Sequence, residues 1–222
     1  MFILPALIFA GIAQSKVKGA FERFSQVVVS SNKTGAQVAK ELLAQAGISD
    51  VDVEYIDRGN MGDHYDPRDR TVRLSKGVYD ARSIAALGIA AHEVGHAIQH
   101  HTGYVWLGMR NAIVPATQFG SRLAFPMFLV GLFFAGSTGE LLMGLGILLF
   151  AAAVAFQVIT LPVEYNASSR AMTVLESGGY IDSREKEGVR KVLNAAALTY
   201  LAAALMAAMQ LVYLILLRGR RR

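Results

Sequence analysis

Cysteine is absent from all 222 residues, which excludes thiol catalysis and disulfide bonding. Charge is also scarce, at 18% of residues, and long stretches of the second half carry almost none. The chain has a net charge of +5 but no basic patch interleaved with aromatics and no nucleic-acid motif, so no nucleic-acid partner is expected. Its basic residues instead flank apolar segments: Lys16, Lys18, Arg23, Arg122, Arg190, Lys191, Arg218 and Arg220–Arg222. Membrane proteins place their cations in this way. Histidine occurs only five times, so any pattern built from it carries weight.

What is abundant is apolar. Hydrophobic residues make up 53% of the chain and mean hydropathy is +0.37, high for a water-soluble domain. Residues 14 to about 110 read as an ordinary soluble mixture, and four segments stand apart from it. Leu141–Val163 and Leu193–Leu217 are long enough to cross a hydrocarbon core, which needs about 20 helical residues. The stretch from Phe119 to Ser137 has a shorter uncharged centre, Leu123–Gly136, and spans by recruiting the turn before it while Arg122 snorkels to the headgroups. Met1–Ala13 contains Pro5 and lacks the basic start and cleavage signature of a secretory signal, so it reads as a short uncleaved anchor.

In the soluble part, "TGAQVAKELLAQAG" is an amphipathic helix with Thr34 as N-cap and Gly47 as stop. Residues 50–57 alternate in a period near two and predict a half-buried strand, and Thr71–Leu74 predicts a second. The intervening "GNMGDHYDPRDR" has a turn composition that predicts little regular structure. Two strands make a small hairpin or sheet at most. The Ala-rich run "DARSIAALGIAAHEVGHAIQHHTG" predicts a helix over about 81–102, capped by Asp80 or Ser83 and ended by Gly103.

That helix carries His92, Glu93 and His96 in His-Glu-x-x-His spacing. Residues four apart lie one turn above another, so both imidazoles project from one face with Glu93 beside them. Two such imidazoles can hold one zinc ion, and the neighbouring carboxylate can take a proton from water activated by the metal. The chemistry is peptide-bond hydrolysis. A lone histidine on an Ala-rich helix is more often a packing residue, but the spacing, the intervening glutamate and the helix occur together here. Gly95, between the ligands, leaves room for another element to pack closely. His100 and His101, at the polar end of the helix, read as solvent-facing or interfacial.

A catalytic zinc site needs a third protein ligand. After His96 the chain crosses the membrane, turns at "STGE", crosses back and emerges at "TLPVEYNASSRAM", on the face it left. Glu164 can therefore return to the two histidines. Just past Pro162, it also fits a second role, a carboxylate at the start of a new helix favoured by the macrodipole. Both readings stand from sequence alone. Asn194, Thr199, Tyr200 and Gln210 in the last apolar segment read as interhelical hydrogen-bonding groups. Leu141–Leu161 contains no ionisable residue, which argues against a transporter.

The stretches "LGIAAHEVGHAIQH", "LPVEYNASSRAM", "DHYDPRDRTVRLS" and "VLNAAALTYLAAAL" together resemble the neutral zinc metallopeptidases of the YugP type, over nearly the whole chain. These look like compact relatives of the HtpX and CAAX-type membrane proteases. The resemblance implies that His92, His96 and Glu164 bind Zn2+ and that Glu93 is the catalytic base. In the broader HtpX pattern an aspartate four residues after the ligand glutamate steadies a zinc histidine. Here that position is Ser168, with Asn166 as another polar candidate, so the support of the histidines differs. Arg170 fits either a substrate-polarising or carboxylate-pairing role or that of an interfacial arginine. In related proteases the strand before the zinc helix is an exposed sheet edge that binds an extended peptide, which points to Thr71, Val72 and Arg73. His64 or Tyr65 are candidate donors to the oxyanion, against a plain Asp/Pro turn.

The expected fold is a mainly α membrane protein: a zincin-like His-Glu-x-x-His helix, a small β-hairpin or sheet, and three to four transmembrane helices. The expected divisions are an anchor (1–13), a metalloprotease region (14–118), a transmembrane hairpin (119–163), a third-ligand helix and connection (164–192), a C-terminal span (193–217) and a basic tail (218–222). The expected function is membrane-embedded, zinc-dependent endopeptidase action on membrane-proximal or misfolded polypeptides. The competing reading is a catalytically silent membrane scaffold that keeps a structural zinc. Cations near the spans are concentrated on the catalytic side, which points to a cytoplasmic site at a bacterial plasma membrane. The arginine tail opposes that orientation.

Overall fold

The computed structural model describes residues 3–57 and 62–220. Met1, Phe2, Arg221 and Arg222, part of the expected anchor and tail, lie outside the described residues, as do 58–61 of the turn region.

Helix α1 (Leu4–Phe24) starts with Pro5 in its first turn, where a missing N–H leaves no bond unmade, and continues past residue 13 through the polar residues that follow the anchor. Helix α2 (Gly35–Gln45) carries a complete capping box: Thr34 Oγ1 accepts from the Gln37 N–H at 3.2 Å, and Gln37 Oε1 accepts from the Thr34 N–H at 2.9 Å. Gly47, at φ +71°, takes the left-handed conformation that ends it.

Strands β1 (Asp52–Ile56), β2 (His64–Asp66) and β3 (Thr71–Ser75) form one sheet in the order β1-β3-β2. β1 pairs parallel with β3, placing Asp52 opposite Thr71, and β2 pairs antiparallel with it, placing Tyr65 opposite Val72. Two sequence expectations change here. A third strand lies inside the segment read as irregular, because Asp66 accepts from the Arg68 N–H at 3.0 Å and closes a tight turn that lets β2 fold back on β3. In addition, β3 is the middle strand and has no free edge. Thr71 and Val72 are buried, and Arg73 is held by Asp69, so these three residues do not form a substrate-binding edge.

A short turn of helix, α3 (Lys76–Tyr79), leads to α4 (Ile84–His101), which carries the histidine motif. Of the two candidate caps, Ser83 is the one used: its Oγ accepts from the Ala86 N–H at 3.2 Å. Leu87, Ala90, Ala91, Val94 and Ala97 are at most 1% exposed, so α4 is the centre of the core, enclosed by α2, the sheet, α6 and α7.

Helices α5 (Val105–Phe133), α6 (Gly136–Ser177) and α7 (Glu185–Gly219) are the long ones. Of the described helices, α6 and α7 are long and apolar enough to cross a membrane, and α5 has a shorter apolar portion, Gly120–Phe133. Leu7, Ile8, Leu129, Phe133, Leu148 and Ile215 are each 38% exposed or more, an apolar surface that calls for a lipid environment. At the end of the bundle away from the motif, Arg218 Nη2 pairs with Glu140 Oε2 at 3.0 Å, tying α7 to the start of α6.

The structure corrects the expectation that Glu164 starts a helix. α6 runs unbroken for 42 residues through Pro162, and Glu164 lies in its interior. An interior proline removes one backbone bond, and the flanking residues sustain the helix on both sides. Glu164 therefore has no role as an N-terminal cap.

Candidate metal centre

Position 95 sets the geometry of the site. A Cβ built on Gly95 would stand 2.7 Å from the Ala167 carbonyl oxygen, so α4 and α6 touch backbone to backbone between the two histidines. This contact brings Glu164 and Ser168, on the same side of α6 as Ala167, against His92 and His96. Replacing Gly95 with alanine is expected to push the helices apart. The variant should lose about 1–3 kcal/mol of stability and bind zinc more weakly; chemical denaturation and a chelator competition check both.

Glu164 Oε2 lies 3.2 Å from His92 Nε2 and 3.6 Å from His96 Nε2. The two rings meet edge to face, with centroids 4.8 Å apart. Donor atoms of His92, His96 and Glu164 all lie within 4.8 Å of one another, a group that could hold a metal ion. Around a tetrahedral ion with bonds of 2.0–2.1 Å, ligand atoms sit about 3.3 Å apart, close to the two histidine–glutamate distances. All three residues are largely buried, Glu164 to 3% exposure.

The other atoms of these ligands are also occupied. His92 Nδ1 lies 3.1 Å from Ser168 Oγ, the serine at the position where aspartate was the comparison. His96 Nδ1 lies 3.0 Å from Gln99 Oε1, a residue not singled out from the sequence. Gln99 Nε2 donates to the Val163 carbonyl at 2.8 Å and to Asn166 Oδ1 at 2.9 Å, and Arg170 Nε donates to the same Asn166 oxygen at 2.8 Å. Arg170, also stacked 5.9 Å over the Tyr104 ring, is thus connected to the site and is not simply a lipid-facing cation. Arg110 Nη1 donates to Glu164 Oε1 at 3.2 Å. Gln99 sits three residues after His96, a same-face spacing, and Arg110 is a lone charge in an apolar stretch; each was a legible signal.

Glu93 is buried on the other side of His92. Its Oε2 accepts the Tyr65 N–H at 3.0 Å, so the outer edge of β2, the true sheet edge on this side, meets the carboxylate. Burial pushes the Glu93 carboxyl up to about 7; the charges of Glu164 and Asp63 add to this, while His92 and the Tyr65 N–H oppose it. A cavity of about 160 Å³ is lined by Glu93, His96, Glu164, Arg110, His64 and Tyr200. Tyr200, on α7, faces the cavity and hydrogen-bonds Glu164 of α6, in line with the interhelical role expected of it, whereas Thr199 bonds the Ala196 carbonyl of its own helix. A groove of about 570 Å³ continues from His64 and Tyr65 along α5 to Asn111, Val114 and Gln118.

Of the two candidate oxyanion donors, Tyr65 has its hydroxyl 2.7 Å from His100 Nδ1. His100 is therefore partnered within the fold rather than solvent-facing. His64 Nδ1 donates to the Gly62 carbonyl at 2.7 Å.

Two imidazoles and a carboxylate converging beside a second, buried carboxylate are the donor set of zinc hydrolase sites. Residues 1–219 match the family described as "Putative neutral zinc metallopeptidase". The chain is 49% identical, over 99% of its length and 98% of the relative's, to the Bacillus subtilis (strain 168) protein named "Putative membrane protease YugP". No solved structure matches it. The chain belongs to the neutral zinc metallopeptidase family.

Proposed function

We propose that this chain is a zinc-dependent endopeptidase acting on polypeptides at the membrane surface, with one zinc ion per chain. The observation that carries this reading is the convergence of His92 Nε2, His96 Nε2 and a Glu164 oxygen next to the buried Glu93 carboxylate. The two imidazoles and Glu164 would hold the metal. Three protein donors favour an open, catalytic site over the four-ligand closed site of a structural zinc, and hence over a silent scaffold.

Zinc, when bound, polarises the scissile carbonyl and lowers the pKa of water at the site. Glu93 takes the proton from that water on its free oxygen and returns it to the leaving amine nitrogen, because its other oxygen is held by the Tyr65 N–H. Arg110, His64 and Tyr200 supply donors on the cavity wall for charge developing on the carbonyl oxygen. The outer edge of β2, continuous with the groove along α5, is the docking surface for an extended substrate.

The anchor, the apolar half of α5, α6 and α7 provide three to four spans, with residues 14–118 and 164–192 forming the catalytic part on one face. The charge distribution supports a cytoplasmic face at a bacterial plasma membrane. The Arg218–Glu140 pair neutralises one tail arginine and weakens the tail's opposition to that orientation. Membrane-proximal and misfolded polypeptides are the substrates such a site would meet.

The test uses the full-length protein in detergent micelles with an unstructured polypeptide such as casein. Cleavage is expected to stop when a chelator strips the metal and to return with one equivalent of zinc. Cleavage that continues in stripped protein would refute the zinc-dependent reading.

A further inference from the structure

We infer that Gln99, Asn166 and Arg170 form a directional hydrogen-bond relay that holds the His96 proton on Nδ1 and keeps Nε2 free as a metal donor. The inference rests on the metal reading above but concerns residues that reading leaves without a role.

The direction follows from two groups whose polarity is fixed. Arg170 Nε can only donate, and it donates to Asn166 at 2.8 Å, so the Asn166 atom there is the amide oxygen. The Val163 carbonyl can only accept. One terminal atom of the Gln99 amide stands 2.8 Å from that carbonyl and 2.9 Å from the Asn166 oxygen. An atom facing two acceptors must be the NH2, which has a hydrogen for each. The other terminal atom is then the Gln99 oxygen, 3.0 Å from His96 Nδ1. An oxygen accepts, so Nδ1 carries the hydrogen; in the neutral ring the lone pair is then on Nε2, the nitrogen 3.6 Å from Glu164 Oε2.

Reversing the Gln99 amide would set its oxygen against two acceptors and its NH2 against Nδ1. Gln99 is 0% exposed, so water cannot compensate for that reversal. His92 is held differently. Its Nδ1 partner is the Ser168 hydroxyl, which donates or accepts by rotating and so imposes no tautomer. Of the two histidines, His96 is preset for metal and His92 is adjustable. Gln99, Asn166 and Arg170 are positioning residues, acting through His96.

The test has two readouts on the full chain in micelles. In metal-free protein labelled with 15N-histidine and held at alkaline pH so that the imidazoles are neutral, the His96 signals are expected to show a protonated Nδ1 and a bare Nε2. In a chelator competition, Gln99→Leu is expected to weaken zinc binding about 10–100-fold. Asn166→Asp keeps an acceptor for both Gln99 and Arg170 and is expected to bind zinc like the wild type, whereas Asn166→Leu should weaken binding and mix the His96 tautomers. Should Gln99→Leu not fold, the Asn166 pair and the wild-type spectrum still decide. A His96 proton on Nε2 in the wild type, or equal zinc affinity in Asn166→Asp and Asn166→Leu, overturns the relay. A wild type that shows the expected tautomer but binds no zinc overturns the metal reading instead.

Discussion

Glu93→Gln is expected to retain zinc and to lose cleavage by about 10²–10⁴-fold, the contribution of a positioned general base. Glutamine matches glutamate in shape and still offers an oxygen to the Tyr65 N–H, so the site keeps its form. It loses the ability to take a proton. A second consequence is separate from activity. Burial keeps Glu93 protonated up to about 7 in the folded metal-free protein, whereas the unfolded chain releases the proton near 4.5. The folded state therefore binds more protons between those values, and its stability falls as pH rises from about 4.5 to about 7, then levels off. The total fall is about 3 kcal/mol. In Glu93→Gln this contribution to the slope should vanish, leaving the stripped variant more stable relative to the stripped wild type at pH 8 than at pH 4.5. Denaturant titrations across pH measure this, and unchanged cleavage by the variant would remove Glu93 from the mechanism.

Glu164→Ala is expected to lose the metal. The loss should exceed the about 10–100-fold typical of removing a residue that only supports a ligand. The same substitution strands Arg110, which pairs with Glu164 Oε1 and whose side chain is only 22% exposed. Removing one partner of a buried ion pair typically destabilises by about 3–5 kcal/mol. The variant should therefore be less stable even in chelator, where zinc contributes nothing. Glu164→Gln separates the two effects, since it keeps the volume and one ligand oxygen but not the charge. Full zinc occupancy in Glu164→Ala would send the third-ligand assignment elsewhere.

The zinc helix was legible because local signals agreed: Ala-rich propensity, a serine cap, a glycine stop and i,i+4 histidines all belong to one segment. Glu164 was legible as a candidate because two apolar segments of spanning length return the chain to its starting face. Its competing role as a cap arose from reading Pro162 as a boundary, whereas α6 carries the proline internally. The sheet was misjudged for a non-local reason. Strand order depends on which segments meet across the fold, so nothing within Thr71–Leu74 revealed that β1 and β2 would occupy both its edges. Gln99, Arg110 and Tyr200 each carry a local signal, a same-face spacing or a polar group in an apolar stretch, but that signal does not give their place at the site. Gln99 and Arg110 reach partners on α6 that are 54 or more positions away, and Tyr200 meets the site across the cavity; single-residue composition carries no trace of those contacts.

The most direct test of the central claim is X-ray absorption at the zinc edge, with metal content, on purified wild type and Glu164→Ala. The expected wild-type result is one zinc per chain bound by two imidazole nitrogens and oxygen at about 2.0–2.2 Å, with the metal lost in the variant. Folded wild-type protein that takes up no zinc, or a zinc shell without two imidazoles, would contradict it.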